Sequence, residues 1–208
     1  MNLFKSSASD GSSTAAAPPH EGHTGFTSVE ELRRRARQEV GNGPVTADYG
    51  LDPQQVVQLL NEALATELVC TLRYRRHHYM AQGLKARFAA AEFLEHAQQE
   101  QEHADRLAKR IVQLGGEPDF NPDTLTQRSH AQYHDGPDLR EMLLEDLVAE
   151  RIAIESYREM VRFFGDRDPT TRRLIEEILA VEEEHADDLN DLLGSDAPAG
   201  NLAPRLNG

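Results

Sequence analysis

The chain's 208 residues suffice for one ordinary domain with tails and a single hydrophobic core. Its 22 Lys and Arg stand against 36 Asp and Glu, and the net charge of −14 argues against a nucleic-acid surface over the body and favours small cations. No stretch approaches the roughly 20 apolar residues of a membrane span, Met1-Asn2-Leu3-Phe4-Lys5 opens no signal peptide, and Cys70 is the lone cysteine, so a cytoplasmic, reducing setting without membrane contact is expected.

Residues 1 to about 26 are rich in Ser, Ala, Gly and Pro and hold too few large apolar groups to offset the entropy of ordering, so residues 1–50 are expected to form a flexible arm. Within that arm, Ser28 to Glu31 reads as a capping box opening a short helix over about 28–40, which carries Arg33, Arg34, Arg35 and Arg37. Asp52-Pro53 then joins an N-cap to a proline at the first helical position and opens a long helix to about Gln82, before Gly83. A second helix runs from about Lys85 to Leu114 and stops at Gly115-Gly116. Gly115 to Pro137 shows no helical period. A third helix follows from about Leu139 to Phe164, and Asp168-Pro169 opens a fourth that ends at Gly194. The segment 195–208 is expected to be an irregular tail, since its prolines and glycines oppose a fifth helix. Nothing reads as strand. The fold class is therefore all-α, a four-helix bundle over 51–194 made of two hairpins joined by one long crossover between helices two and three.

Writing each helix's apolar stripe at alternating steps of three and four exposes the chemistry. The stripes are Val57, Leu60, Leu64, Glu67, Thr71, Tyr74, His78; Phe93, His96, Glu100, His103, Leu107, Ile111; Leu143, Leu147, Glu150, Ile154, Tyr157, Val161; and Ile175, Ile178, Glu182, His185, Leu189, Leu192. Each is interrupted near its middle by a glutamate, and in the second and fourth a histidine follows three residues later. Four carboxylates converging in one core demand positive charge between them, because a buried unpaired carboxylate costs several kcal/mol. Two divalent ions balance four glutamates. Oxidation to two ferric ions bridged by an oxide keeps that balance, which suits a redox-active pair.

The halves repeat. Glu100-Gln-Glu-His103-Ala-Asp parallels Glu182-Glu-Glu-His185-Ala-Asp, and Glu67 precedes Glu100 by 33 residues as Glu150 precedes Glu182 by 32. Among the nine histidines, only His103 and His185 follow a glutamate by three. Histidine and carboxylate ligands suit iron or manganese, without separating the two.

With Leu60-Asn61 through Glu67-Leu68-Val69, Tyr74, Glu100-x-x-His103-Ala-Asp, Leu147-x-x-Glu150 and Glu182-Glu-x-His185, the chain resembles bacterioferritin and the Dps-like branch of the ferritin superfamily over about residues 51–193. The resemblance implies a ferritin-like bundle that binds two Fe ions per subunit through Glu67, Glu100, His103, Glu150, Glu182 and His185, with Tyr74 beside them. It implies a ferroxidase oxidising Fe²⁺ with O₂ or H₂O₂, for iron storage or detoxification, in a homo-oligomeric shell. Bacterioferritin binds haem through a methionine where this chain has Gln101, so no haem is expected. The family's inner-surface ligands align with Glu95 and Gln99. The Pro/Gly-rich end and the long arm look more like twelve-subunit Dps-like shells than twenty-four-subunit ones. Cys70 alone cannot form a paired-cysteine iron site and is read as a small core residue.

Asp146 is expected to be exposed rather than to orient a ligand, and His77-His78, with Arg73, Arg75 and Arg76, to serve packing or subunit contact. His20 and His23 are set aside as weak scavengers. DNA binding by the arginine-rich helix is disfavoured, because its arginines are interleaved with Glu30, Glu31 and Glu39. Two other functions stay open: a di-metal small-molecule enzyme, such as a quinone-type hydroxylase or a manganese catalase, and a Dps-like DNA-protecting nucleoid protein.

Overall fold

The computed structural model describes residues 26–38 and 40–195. The expected flexible stretch up to residue 25, with His20 and His23, lies outside the described residues, as do Glu39 and the tail 196–208. Among the described residues six α-helices follow in order: α1 (Val29–Gln38), α2 (Pro53–Met80), α3 (Arg87–Gln113), α4 (Leu125–Arg128), α5 (Leu139–Phe164) and α6 (Pro169–Ser195). No strand occurs among the described residues, and no helix there is long and apolar enough to cross a membrane.

Three of the four long helices start where an aspartate caps them. Asp52 accepts from Gln54 N at 3.0 Å, Asp138 from Glu141 N at 3.0 Å, and Asp168 from Thr171 N at 2.9 Å, each satisfying an amide the first turn leaves free. The remaining long helix, α3, has no such cap and begins two residues later than expected, after a 3₁₀ turn over Leu84–Ala86. In the arm, Ser28 Oγ accepts from Glu31 N at 3.3 Å, but the Glu31 carboxylate turns to Arg34 and Arg35 instead of completing the box. That helix, α1, buries none of its residues.

Helix α2 packs antiparallel on α3, and α5 on α6, so the two hairpins form the expected bundle. The crossover carries the chain from the end of α3 back along the whole of α2, and side chains of α2 lace it down. Asn61 bonds Glu117 and Asp119 at 3.1 and 2.7 Å, Thr66 accepts from His130 N at 3.0 Å, Arg73 donates to Gln132 O at 2.9 Å, and His77 meets His134 O at 3.1 Å. The crossover is also not wholly irregular. It contains the one-turn helix α4, whose Leu125 packs on Ala65 and Val69. Its last turn needs Gly136, at φ +62°, because a Cβ there would lie 2.6 Å from Met142 Cγ and 2.9 Å from Met142 Cα.

Two apolar clusters fill the bundle. One contains Val56, Leu60, Leu64, Leu107, Ile111, Phe164, Ile175 and Ile178; the other Cys70, Tyr74, Phe93, Leu143 and Leu189. Each fully buried leucine, isoleucine or phenylalanine contributes about 1.5–3 kcal/mol, so both ends are held independently of what lies between them.

Candidate metal centre

Between the two clusters lies a polar layer. Glu67 comes from α2, Glu100 and His103 from α3, Glu150 from α5, and Glu182 and His185 from α6; none is more than 3% exposed. The structure brings together all six residues expected to share a site. They form two overlapping groups, Glu67/Glu100/His103/Glu182 and Glu100/Glu150/Glu182/His185, whose candidate ligand atoms lie within 4.8 Å of one another in each group. Glu100 and Glu182 belong to both groups, so each would contribute to both ligand sets. His103 Nδ1 stands 3.2 Å from Glu67 and 3.0 Å from Glu182; His185 Nδ1 stands 3.3 Å from Glu100 and 3.4 Å from Glu182.

The two halves support each other crosswise. Tyr74 Oη donates to Glu150, and Tyr157 Oη donates to Glu67. Tyr74 therefore lies against the centre, as the resemblance implies. Tyr157 has the mirror role, which its place in the apolar stripe does not by itself reveal. The signal was present, since Tyr157 follows Glu150 by seven residues as Tyr74 follows Glu67 by seven. Gln99 is a further supporting residue: its Oε1 lies 2.7 Å from His185 Nε2, which leaves Nδ1 facing the carboxylates.

The electrostatics of the protein alone are those of a site built for cations. Burial, then the neighbouring Glu100 and Glu182, raise the Glu67 and Glu150 carboxyls well above their ordinary range. Burial works against charge on the two histidines, but the carboxylates around them win, raising His103 strongly and His185 to about 9. Glu100, although buried, is held below the usual carboxylate range by the Glu67 carboxyl and the His103 and His185 imidazoles close beside it. Protons thus stand where positive charge is needed. Even so, Glu100 Oε1, both Glu182 carboxylate oxygens and His185 Nδ1 find no hydrogen-bond partner although buried, so these oxygen and imidazole donors, arranged in two sets, fit a pair of metal ions.

Two expectations need correction. Asp146 is wholly buried, not exposed: Oδ1 takes the Arg73 guanidinium at 2.7 Å and Oδ2 faces His77 Nδ1 at 2.7 Å. It touches neither His103 nor His185. On α2 the inward histidine is His77 rather than the stripe's His78, because the crossover covers the flank bearing Thr66, Arg73 and His77. Both histidines remain in packing roles, as expected, and buried Cys70 is a small core residue.

A ferritin-like domain profile matches residues 57–197, which include all six residues of the polar layer. The chain belongs to the ferritin-like family. Among relatives of this ferritin-like chain, a nutrient stress-induced DNA-binding protein of Synechococcus sp. is 34% identical, covering 69% of this chain and 83% of its own length. Bacterioferritin of Desulfovibrio desulfuricans is 30% identical over 63% of this chain and 70% of its own. Among solved structures, the dodecameric thioferritin of Bacteroides fragilis, described as a bacterioferritin-related protein, is 29% identical and superposes with a TM-score of 0.67 over 80% of this chain and 94% of that one. The ferritin-like bundle is thus shared with both bacterioferritin and Dps-like proteins.

Proposed function

We propose that this ferritin-like chain is a ferroxidase that takes up two Fe²⁺ ions between Glu67, Glu100, His103, Glu150, Glu182 and His185 and oxidises them, serving iron storage or detoxification inside an oligomeric shell. The observation that carries the reading is the buried layer of four glutamates and two histidines, in two ligand sets sharing Glu100 and Glu182. Each Fe²⁺ gives up one electron. One O₂ with two protons then becomes H₂O₂, or one H₂O₂ with two protons becomes two waters. Cation uptake displaces the protons on Glu67, Glu150, His103 and His185, so affinity falls as pH falls.

The outer surface and the dodecameric relative support assembly into a shell. Leu144, Val148 and Ile152 form an exposed apolar row on α5, and Leu72 and Tyr79 are exposed on α2; a partner subunit would cover such faces. We infer a shell of twelve copies, in the cytoplasm.

The test is direct. Glu100→Ala and His185→Ala are expected to lose rapid Fe²⁺ oxidation, followed by ferric absorbance, while keeping the helical circular dichroism of the wild type. Wild-type oxidation rates in either variant would remove the assignment. A nucleoid role is the second reading, favoured by the name of the Synechococcus relative. Against it, two of the four arginines on α1 are already paired with Glu31.

A further inference from the structure

His96 lies on α3 one turn before Glu100 and is 1% exposed, yet neither of its ring nitrogens has a hydrogen-bond partner. A buried imidazole left so is costly, and neighbouring polar atoms would normally turn to meet it. The polar atoms that do face it stand too far for a hydrogen bond. Asp188 Oδ2, on α6 one turn past His185, is 3.6 Å from His96 Nε2, and Glu92 Oε2, one turn earlier on α3, is 4.0 Å away. These separations suit a shared cation, because ligand atoms each about 2.0–2.2 Å from one ion stand about 3–4 Å apart. The three candidate ligand atoms lie within 4.8 Å of one another.

The surroundings agree with that reading. Glu92 and Asp188 are 38% and 47% exposed at their side chains, so the mouth opens to solvent while the imidazole closes its floor. Glu95, Glu184 and Asp187 add negative charge near the two carboxylates. On the inner side, the His96 ring stacks on the His185 ring at 3.9 Å with an interplanar angle of 21°, so the group lies directly behind a residue of the central layer.

We propose that Glu92, His96 and Asp188 form a third metal site, taking a divalent transition ion at the α3–α6 mouth, separate from the pair of positions in the core. One imidazole and two carboxylates suit Fe²⁺, Mn²⁺, Co²⁺ or Zn²⁺. The two exposed carboxylates neutralise the ion without a protein cation, and the ion gives the buried His96 Nε2 a partner. The site stands whether or not the core oxidises iron.

Redox-inert Co²⁺ tests it on the full-length assembly, by anomalous diffraction from crystals and by binding stoichiometry in solution. Wild type is expected to show a Co²⁺ peak among Glu92, His96 and Asp188, in addition to density in the core layer. His96→Ala and Asp188→Asn are expected to lose that peak and bind one ion fewer per subunit, while the core density remains. Asp188 is half exposed, so its variant reports even if His96→Ala folds poorly. Glu100→Ala is expected to keep the mouth peak while the core density weakens, so failure of the ferroxidase reading and failure of this site give different maps. A wild type with no density at the mouth, or a peak and stoichiometry unchanged in Asp188→Asn, overturns the proposal.

Discussion

Replacing Glu150 by glutamine separates what the centre does for metal from what it costs the fold. The amide matches protonated Glu150 in shape and still offers an oxygen to the Tyr74 hydroxyl that now donates to the carboxyl. Burial, with Glu100 and Glu182 beside it, raises Glu150 well above its ordinary value of 4.5. Between those two values the group holds a proton in the folded protein and has lost it in the unfolded chain. The folded state then binds more protons, so stability falls as pH rises, by about 1.4 kcal/mol per pH unit. Glutamine carries no such proton. The metal-free E150Q variant is therefore expected to match metal-free wild type near pH 4.5 and to become progressively more stable than it towards neutral pH. Adding Fe²⁺ without oxygen should reverse the order. Wild type gains about 2.7 kcal/mol when the free ion is at a hundred times its dissociation constant, and the variant, one negative charge short, gains far less. Guanidinium unfolding across pH, with chelator and then with anaerobic Fe²⁺, measures both halves. A metal-free variant less stable than wild type at pH 7, or equal stabilisation of both by Fe²⁺, would refute the reasoning.

Three further outcomes are expected. Asp146→Ala leaves Arg73 buried without its partner and should cost about 3–5 kcal/mol, whereas the joint change Arg73→Met with Asp146→Leu should restore most of that stability; equal losses in the two proteins would count against the buried pair. Light scattering should give twelve subunits of 23.3 kDa each, and a monomer, a dimer or a twenty-four-subunit particle would contradict the shell and, in the first two cases, strengthen the small-molecule enzyme alternative. In gel shifts across a salt series no DNA complex should persist at ~150 mM salt, since each phosphate contact loses about 0.9 in log affinity per decade of salt. A complex that does persist there, and is lost when Arg33, Arg34, Arg35 and Arg37 are neutralised, would make the nucleoid role primary.

The helices and the polar layer were legible because their signals are local. An aspartate followed by proline starts a helix whatever surrounds it, and a glutamate with a histidine three residues on shares one helical face, so Glu100/His103 and Glu182/His185 were readable from single segments. The repeated spacing from Glu67 to Glu100 and from Glu150 to Glu182 then joined the segments. The stripes also carried an error that grows with distance: steps averaging 3.5 residues drift from the real 3.6, and at the start of α2 the fully buried residue is Val56 rather than Val57.

What helical period cannot encode is which neighbour a side chain meets. Tyr74 follows Glu67 on its own helix yet donates to Glu150, and Tyr157 follows Glu150 yet donates to Glu67, because α2 and α5 pack antiparallel and each tyrosine reaches across. Asp146 reads as an ordinary helix-surface aspartate until Arg73 and His77 are brought against it beneath the crossover. His96 gains its meaning the same way. On α3 it is one more stripe residue, and only the approach of α6, with Asp188 stopping 3.6 Å short of its ring, leaves a buried imidazole that no protein atom satisfies.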